Sequence, residues 1–159
     1  WVRFSNATAQ VEPDSKAAMR GLAFRVEGVP GKKIAQDGPG DAGHDFFLNS
    51  YPVMPIDTVR EFFEIGEAAG RGPANVIKYL FNPFAPKPAT FLRALKMAIG
   101  PKNPVDLRYY SQVPYRFGDR IVKYGTRPVH PAWTGKMSKN EICVREALDD
   151  FLAGQDACF

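Results

Sequence analysis

Cysteine and histidine are scarce in this chain, with two of each among 159 residues. Cys143 and Cys158 are too few for a disulfide framework or a zinc site, so both are expected as reduced thiols, one in a helix and one just beyond it. His44 and His130 lie far apart and in no metal-ligand spacing, so each reads as a loop or strand-edge residue. No apolar run is long enough to cross a bilayer, and there is no signal-peptide pattern. The phosphate-binding glycine signatures, the Gly-x-Ser-x-Gly elbow and a Cys/His pair at nucleophile spacing are also missing, which leaves no motif for the commonest nucleotide-binding and hydrolytic chemistries. The net charge of +4 is spread along the chain. Nucleic-acid binding favours a basic stripe, so no nucleic-acid partner is expected.

What is present is apolar and aromatic. At 45% hydrophobic and 13% aromatic residues, the chain can bury one real core, and one domain is expected. Its centre is the run 44–55, HDFFLNSYPVMP. Strand alternation puts Phe47, Asn49 and Tyr51 on one face and Phe46, Leu48 and Ser50 on the other. Asn49 is therefore a carboxamide set among aromatic side chains. Such a group either bonds a neighbouring backbone to hold the fold or holds something that binds against it.

In chain order, residues 1–5 alternate, with Val2 and Phe4 on one face and Arg3 and Ser5 on the other. If that second face borders a cavity, Arg3 needs an anion, and a planar carboxylate fits its fork. Residues 6–18 read as a polar loop, and 19–29 as a strand with Leu22, Phe24 and Val26 facing one way. Gly21 there admits a close backbone or a flat ligand. Residues 30–43 are turn-rich. Asp57 is expected to cap a helix to about residue 69, with Val59, Phe62, Phe63 and Gly66 on its apolar stripe. A helical turn or two is expected over 76–81, and a helix over 88–99 burying Phe91, Leu92, Leu95, Ala98 and Ile99. These helices interrupt the strands as one insertion. Residues 107–128 crowd tyrosines with arginines, and 120–126 alternate as a strand. The box Ser138-Lys139-Asn140-Glu141 predicts a last helix that buries Val144, Ala147, Leu148, Phe151 and Leu152. The pattern as a whole is α+β, antiparallel strands with inserted helices.

Several of these stretches together resemble the haem catalase superfamily. They are Val2-Arg3-Phe4-Ser5, then Arg20-Gly21-Leu22-Ala23-Phe24-Arg25-Val26, then Asp45-Phe46-Phe47-Leu48-Asn49 with Pro52 beyond. The run Tyr109-Tyr110-Ser111-Gln112-Val113-Pro114-Tyr115-Arg116-Phe117-Gly118-Asp119 is similar to the catalase-related haem proteins of bacteria, a divergent branch. The likeness covers nearly the whole chain.

This resemblance implies an antiparallel β-barrel core of the catalase type with inserted helices, and haem b as the cofactor. It implies that Arg3 pairs with a haem propionate, that the Ser5 hydroxyl orients a distal histidine, and that Asn49 holds peroxide over the iron. Phe62 stands where the family often packs a phenylalanine on the porphyrin, while Met54 and Pro55 replace a usual pair of phenylalanines. The implied activity is a catalase or peroxidase acting on hydrogen peroxide or organic peroxides. Conversion of fatty-acid hydroperoxides and a haem-free scaffold are the alternatives. The family's distal histidine and proximal tyrosine match no residue here. His44, His130, Tyr109, Tyr110, Tyr115 and Tyr124 all stand at other positions. The chain thus reads as a central core fragment, expected to show no catalase turnover alone and at most weak haem affinity. A homo-oligomer, and a cytoplasmic or periplasmic location, stay open.

Overall fold

The computed structural model describes residues 1–6, 11–30 and 42–159. Most of the turn-rich stretch 30–43 and part of the loop 6–18 lie outside the described residues. The chain forms two compact units, one from Trp1–Pro52 with Gly100–Phe159, the other from Val53–Ile99.

The first unit is built on strands β1 (Val2–Asn6), β2 (Arg20–Val26), β3 (His44–Asn49), β4 (Tyr109–Ser111), β5 (Tyr115–Phe117), β6 (Arg120–Val122) and β7 (Gly125–Thr126). A five-stranded antiparallel sheet runs in the order β1-β2-β3-β4-β7, and β5 pairs with β6 as a separate hairpin. The α+β class with antiparallel strands is therefore present. The closed barrel is not: among the described residues the sheet is open, and β1 and β7 are its two edges. The strand expected over 120–126 is divided between β6 and β7, which belong to different sheets.

Alternation sorts the sheet into two faces. Phe4, Leu22 and Leu48 fall in one cross-strand row and Phe24 and Phe46 in the next. Together with Tyr109 and Leu107 they form the core on that face. Phe24 stacks on Phe46 at 4.8 Å, and Tyr115 and Tyr124 close over Phe46 at 5.7 and 5.4 Å. Fully burying side chains of this size contributes roughly 1.5–3 kcal/mol each, so this face holds the sheet together. Helix α4 (Cys143–Gly154) buries Cys143, Val144, Ala147 and Phe151. Leu152, expected inside, is exposed. The capping box is also rearranged. Ser138 and Asn140 both bond the Glu146 carboxylate, and Glu141 takes no part. Asn103 ties α4 to the sheet end, donating from Nδ2 to Ala147 O at 2.7 Å.

The second unit holds α1 (Val59–Gly70), α2 (Pro73–Leu80) and α3 (Pro88–Met97). Thr58, not Asp57, caps α1, accepting from Glu61 N at 3.1 Å, while Glu61 reaches back to Asp57 N at 3.3 Å. The expected apolar stripes face largely outward, although Phe91 is half-buried and packs edge-on to Phe81 at 5.0 Å. Val59, Phe62, Phe63, Leu92 and Leu95 are exposed, and Glu61, Ala68, Thr90 and Met97 are buried in their place. The reason is polar: Glu61 accepts from Thr90 Oγ1 at 3.0 Å and lies 3.3 Å from Lys87 Nζ, which turns the α1 face carrying Glu61 toward α3.

Candidate functional site

The sheet face opposite the core carries the residues singled out by sequence. Ser5, Gly21, Asn49, Tyr110 and Gly125 form one cross-strand row, and Arg3, Ala23 and Phe47 form the adjacent one. Arg3, Ser5 and Asn49, which lie on different strands, therefore share one surface. Ser5 and Asn49 stand two strand spacings apart across Gly21, roughly 10 Å. The central strand places only Gly21 and Ala23 between them, so the middle of this face is a shallow strip without large side chains. A Cβ on Gly21 would come within 2.6 Å of Ser5 Oγ, so a larger residue there would displace the Ser5 hydroxyl and narrow the strip. Beyond Ala23 and Phe47 the next row is the Arg25–Asp45 ion pair, 2.9 Å between Nη1 and Oδ2.

The three polar groups differ in how they are held. Arg3 is exposed and its guanidinium pairs with no described residue, so it is free to take an anion. Ser5 is exposed, and its hydroxyl is likewise unbonded among the described residues. Asn49 is only 6% exposed and firmly fixed. Its Oδ1 accepts from Tyr51 N at 3.0 Å and from Gln112 Nε2 at 2.6 Å. Both readings of this amide thus have a share, since its oxygen bonds the backbone while its Nδ2 donates to no described residue. Phe47, in the Arg3 row, is 66% exposed, an apolar side chain beside the small-residue strip.

Phe62 lies in the second unit, on the outward side of α1, 54% exposed and edge-on to Phe63 at 6.4 Å between ring centroids. His44 opens β3 and packs on Phe46 at 4.7 Å, and His130 is a loop residue packed on Phe151 at 4.7 Å. Both are packing residues at a strand edge or in a loop. Tyr109 is fully buried on the core face, donating to Pro104 O at 2.9 Å, and burial pushes its phenol well above the usual tyrosine range. A group so held stays protonated at neutral pH. Among the arginines of 107–128, Arg108 and Arg127 line one depression with Asp106, and Arg116 and Arg120 line another with Asp119. In the hairpin Arg116 is registered with Ile121 and Arg120 with Phe117, so the two arginines leave the backbone on opposite faces.

Three contributors to this face escaped the sequence reading: Tyr110, Gly125 and Gln112. Alternation within 109–111 would have shown Tyr110 opposite Tyr109, but only pairing with β3 places it beside Asn49. Gln112 lies just past a strand end, where alternation carries no information. Comparison with protein-family models, with curated proteins and with solved structures gives no match for this chain. No helix is long and apolar enough to cross a membrane among the described residues.

Proposed function

We propose that the face carrying Arg3, Ser5 and Asn49 is the distal wall of a haem site in a catalase- or peroxidase-type protein, acting on hydrogen peroxide or organic peroxides. The observation that supports it is the shared surface: guanidinium, hydroxyl and carboxamide, contributed by separate strands, border a strip of Gly21 and Ala23 on which a flat group can lie. A filled core around Arg3 and Asn49 would have favoured a haem-free scaffold, whereas Arg3, Ser5 and Phe47 are exposed. A closed barrel of the catalase type, which needs further pairing at the β1 and β7 edges, belongs to the same proposal.

The residues fit the group in charge and in shape. The unpaired Arg3 fork suits a propionate carboxylate. Haem bound on this face would supply the iron at which a peroxide O–O bond is cleaved. Asn49 Nδ2 would donate to a peroxide oxygen and fix its orientation. Because Asn49 is already held through Oδ1, that donation requires little rearrangement. Ser5 would orient a hydrogen-bonding side chain set over the same face.

Titration of the chain with haemin, followed by visible absorption, tests this reading. Weak, saturable binding is expected, weaker in Arg3→Ala and lost in Gly21→Val. Equal binding by the wild type and Gly21→Val would show that the strip is not the site.

A further inference from the structure

Gln112 follows β4 directly, and its carboxamide end is surrounded by oxygens. Nε2 lies within donating distance of Asn49 Oδ1 at 2.6 Å, the shortest of the three, and of Tyr51 O and Tyr110 O, each at 3.1 Å, so its two hydrogens are shared among three acceptors. The two backbone carbonyls can only accept, so the NH2 end must face them. Turning the group would set Oε1 against these oxygens with no hydrogen between. The orientation holds even though Oε1 is then buried without a partner.

Asn49 is decided from a second side as well. Tyr51 N donates to Asn49 Oδ1 at 3.0 Å, and a backbone N–H has no other role to play there. Two donors therefore converge on Oδ1, and exchanging Oδ1 with Nδ2 would oppose N–H to N–H at both. With the oxygen occupied, the part of the amide left for a ligand is Nδ2, two N–H groups that no described residue accepts.

We propose that Gln112 is a positioning residue that sets the polarity of the site: by pinning Asn49 Oδ1 it turns Nδ2 outward as a donor. The subsite beside Gly21 then takes ligand atoms that carry lone pairs, such as a peroxide or carboxylate oxygen, and disfavours an ammonium or another N–H donor. The guanidinium of Arg3 adds donors of the same sense on the adjacent row. The ligand side of this proposal rests on the reading of the face as a haem-type pocket; the orientation of the amide does not.

The test is nuclear magnetic resonance on the full chain labelled with 15N and 13C. Scalar couplings across the hydrogen bonds are expected from Gln112 Nε2 and from Tyr51 N to Asn49 Cγ. In Gln112→Met, similar in length but with no donor, Asn49 Oδ1 is no longer held from both sides, and exchange of the Tyr51 N–H that it accepts should accelerate roughly three- to tenfold, as for the weakening of one hydrogen bond. Backbone protection of β3 and β4 should not change. Absence of the Gln112 coupling in the wild-type chain overturns the proposal whether or not the variant folds, and so does unchanged Tyr51 N–H exchange in a folded variant. Haemin titration of the wild-type chain separates the two ideas. Failure to bind haemin removes the functional reading, while the couplings still decide the role of Gln112.

Discussion

The two faces of the same sheet are built to opposite rules. On the core face Phe4, Leu22, Phe24, Phe46, Leu48 and Tyr109 interlock, and Leu22, Leu48 and Tyr109 are buried. On the other, the same strands present Arg3, Ser5, Gly21, Ala23 and Phe47, and only Asn49 is both polar and buried. A strand that needed its second face for stability would fill it with branched and aromatic side chains. This one leaves a glycine and an alanine at its centre. The difference teaches that the core face accounts for the fold, while the other leaves Arg3, Ser5 and Phe47 exposed.

Leu48→Ala should separate the faces most strongly. Truncating this buried residue is expected to destabilise the chain by about 2–5 kcal/mol in urea unfolding. A loss below about 1 kcal/mol would mean the core face is not the stabilising one. Next in size is Gly21→Val, expected to lower haemin affinity by at least roughly tenfold, about 1.4 kcal/mol. Ser5 Oγ lies at a side-chain tip that can rotate away from the new Cβ, so unfolding should change far less than for Leu48→Ala. A large stability loss with unchanged haemin binding would reverse the roles assigned to the two faces.

Tyr109 tests the core face by pH. Its phenol is held protonated in the fold by burial, above the ordinary value of 10.0. The unfolded chain releases that proton first, so stability should be level up to about pH 10 and fall above it, because the unfolded state then binds fewer protons. Tyr109→Phe should flatten that fall, while an equally steep decline in the variant would assign it to other groups. Arg3→Ala is a smaller change. It should weaken haemin binding several-fold, and more at low salt than at high, with unfolding altered by less than about 0.5 kcal/mol, as for an exposed, unpaired charge. Smallest of all is Phe47→Ala, an exposed side chain on the open face, whose effect on unfolding should stay within about 0.5 kcal/mol. A cost near that of Leu48→Ala would show that something covers Phe47.

By itself, the sequence determined β1, β2 and β3 and their faces. Period-2 alternation put Val2 and Phe4 opposite Arg3 and Ser5, and Phe46 and Leu48 opposite Phe47 and Asn49, because a pleated backbone has no other way to point successive side chains. It also placed α1 and α3 within a few residues, with the cap read at Asp57 where Thr58 serves, and it reached only a part of α2, which begins at Pro73. It did not settle which stripes those helices bury. Apolar periodicity favoured Phe62 and Leu95, but a carboxylate at Glu61 that must keep Thr90 and Lys87 as partners turns the other side of α1 inward. Nor could it bring Ser5, Gly21, Asn49 and Tyr110 into a single row, or put Gln112 against Asn49 across 63 positions. Register and the packing of chain-distant groups are set by pairing and by buried polar partners, and only the folded chain makes those contacts.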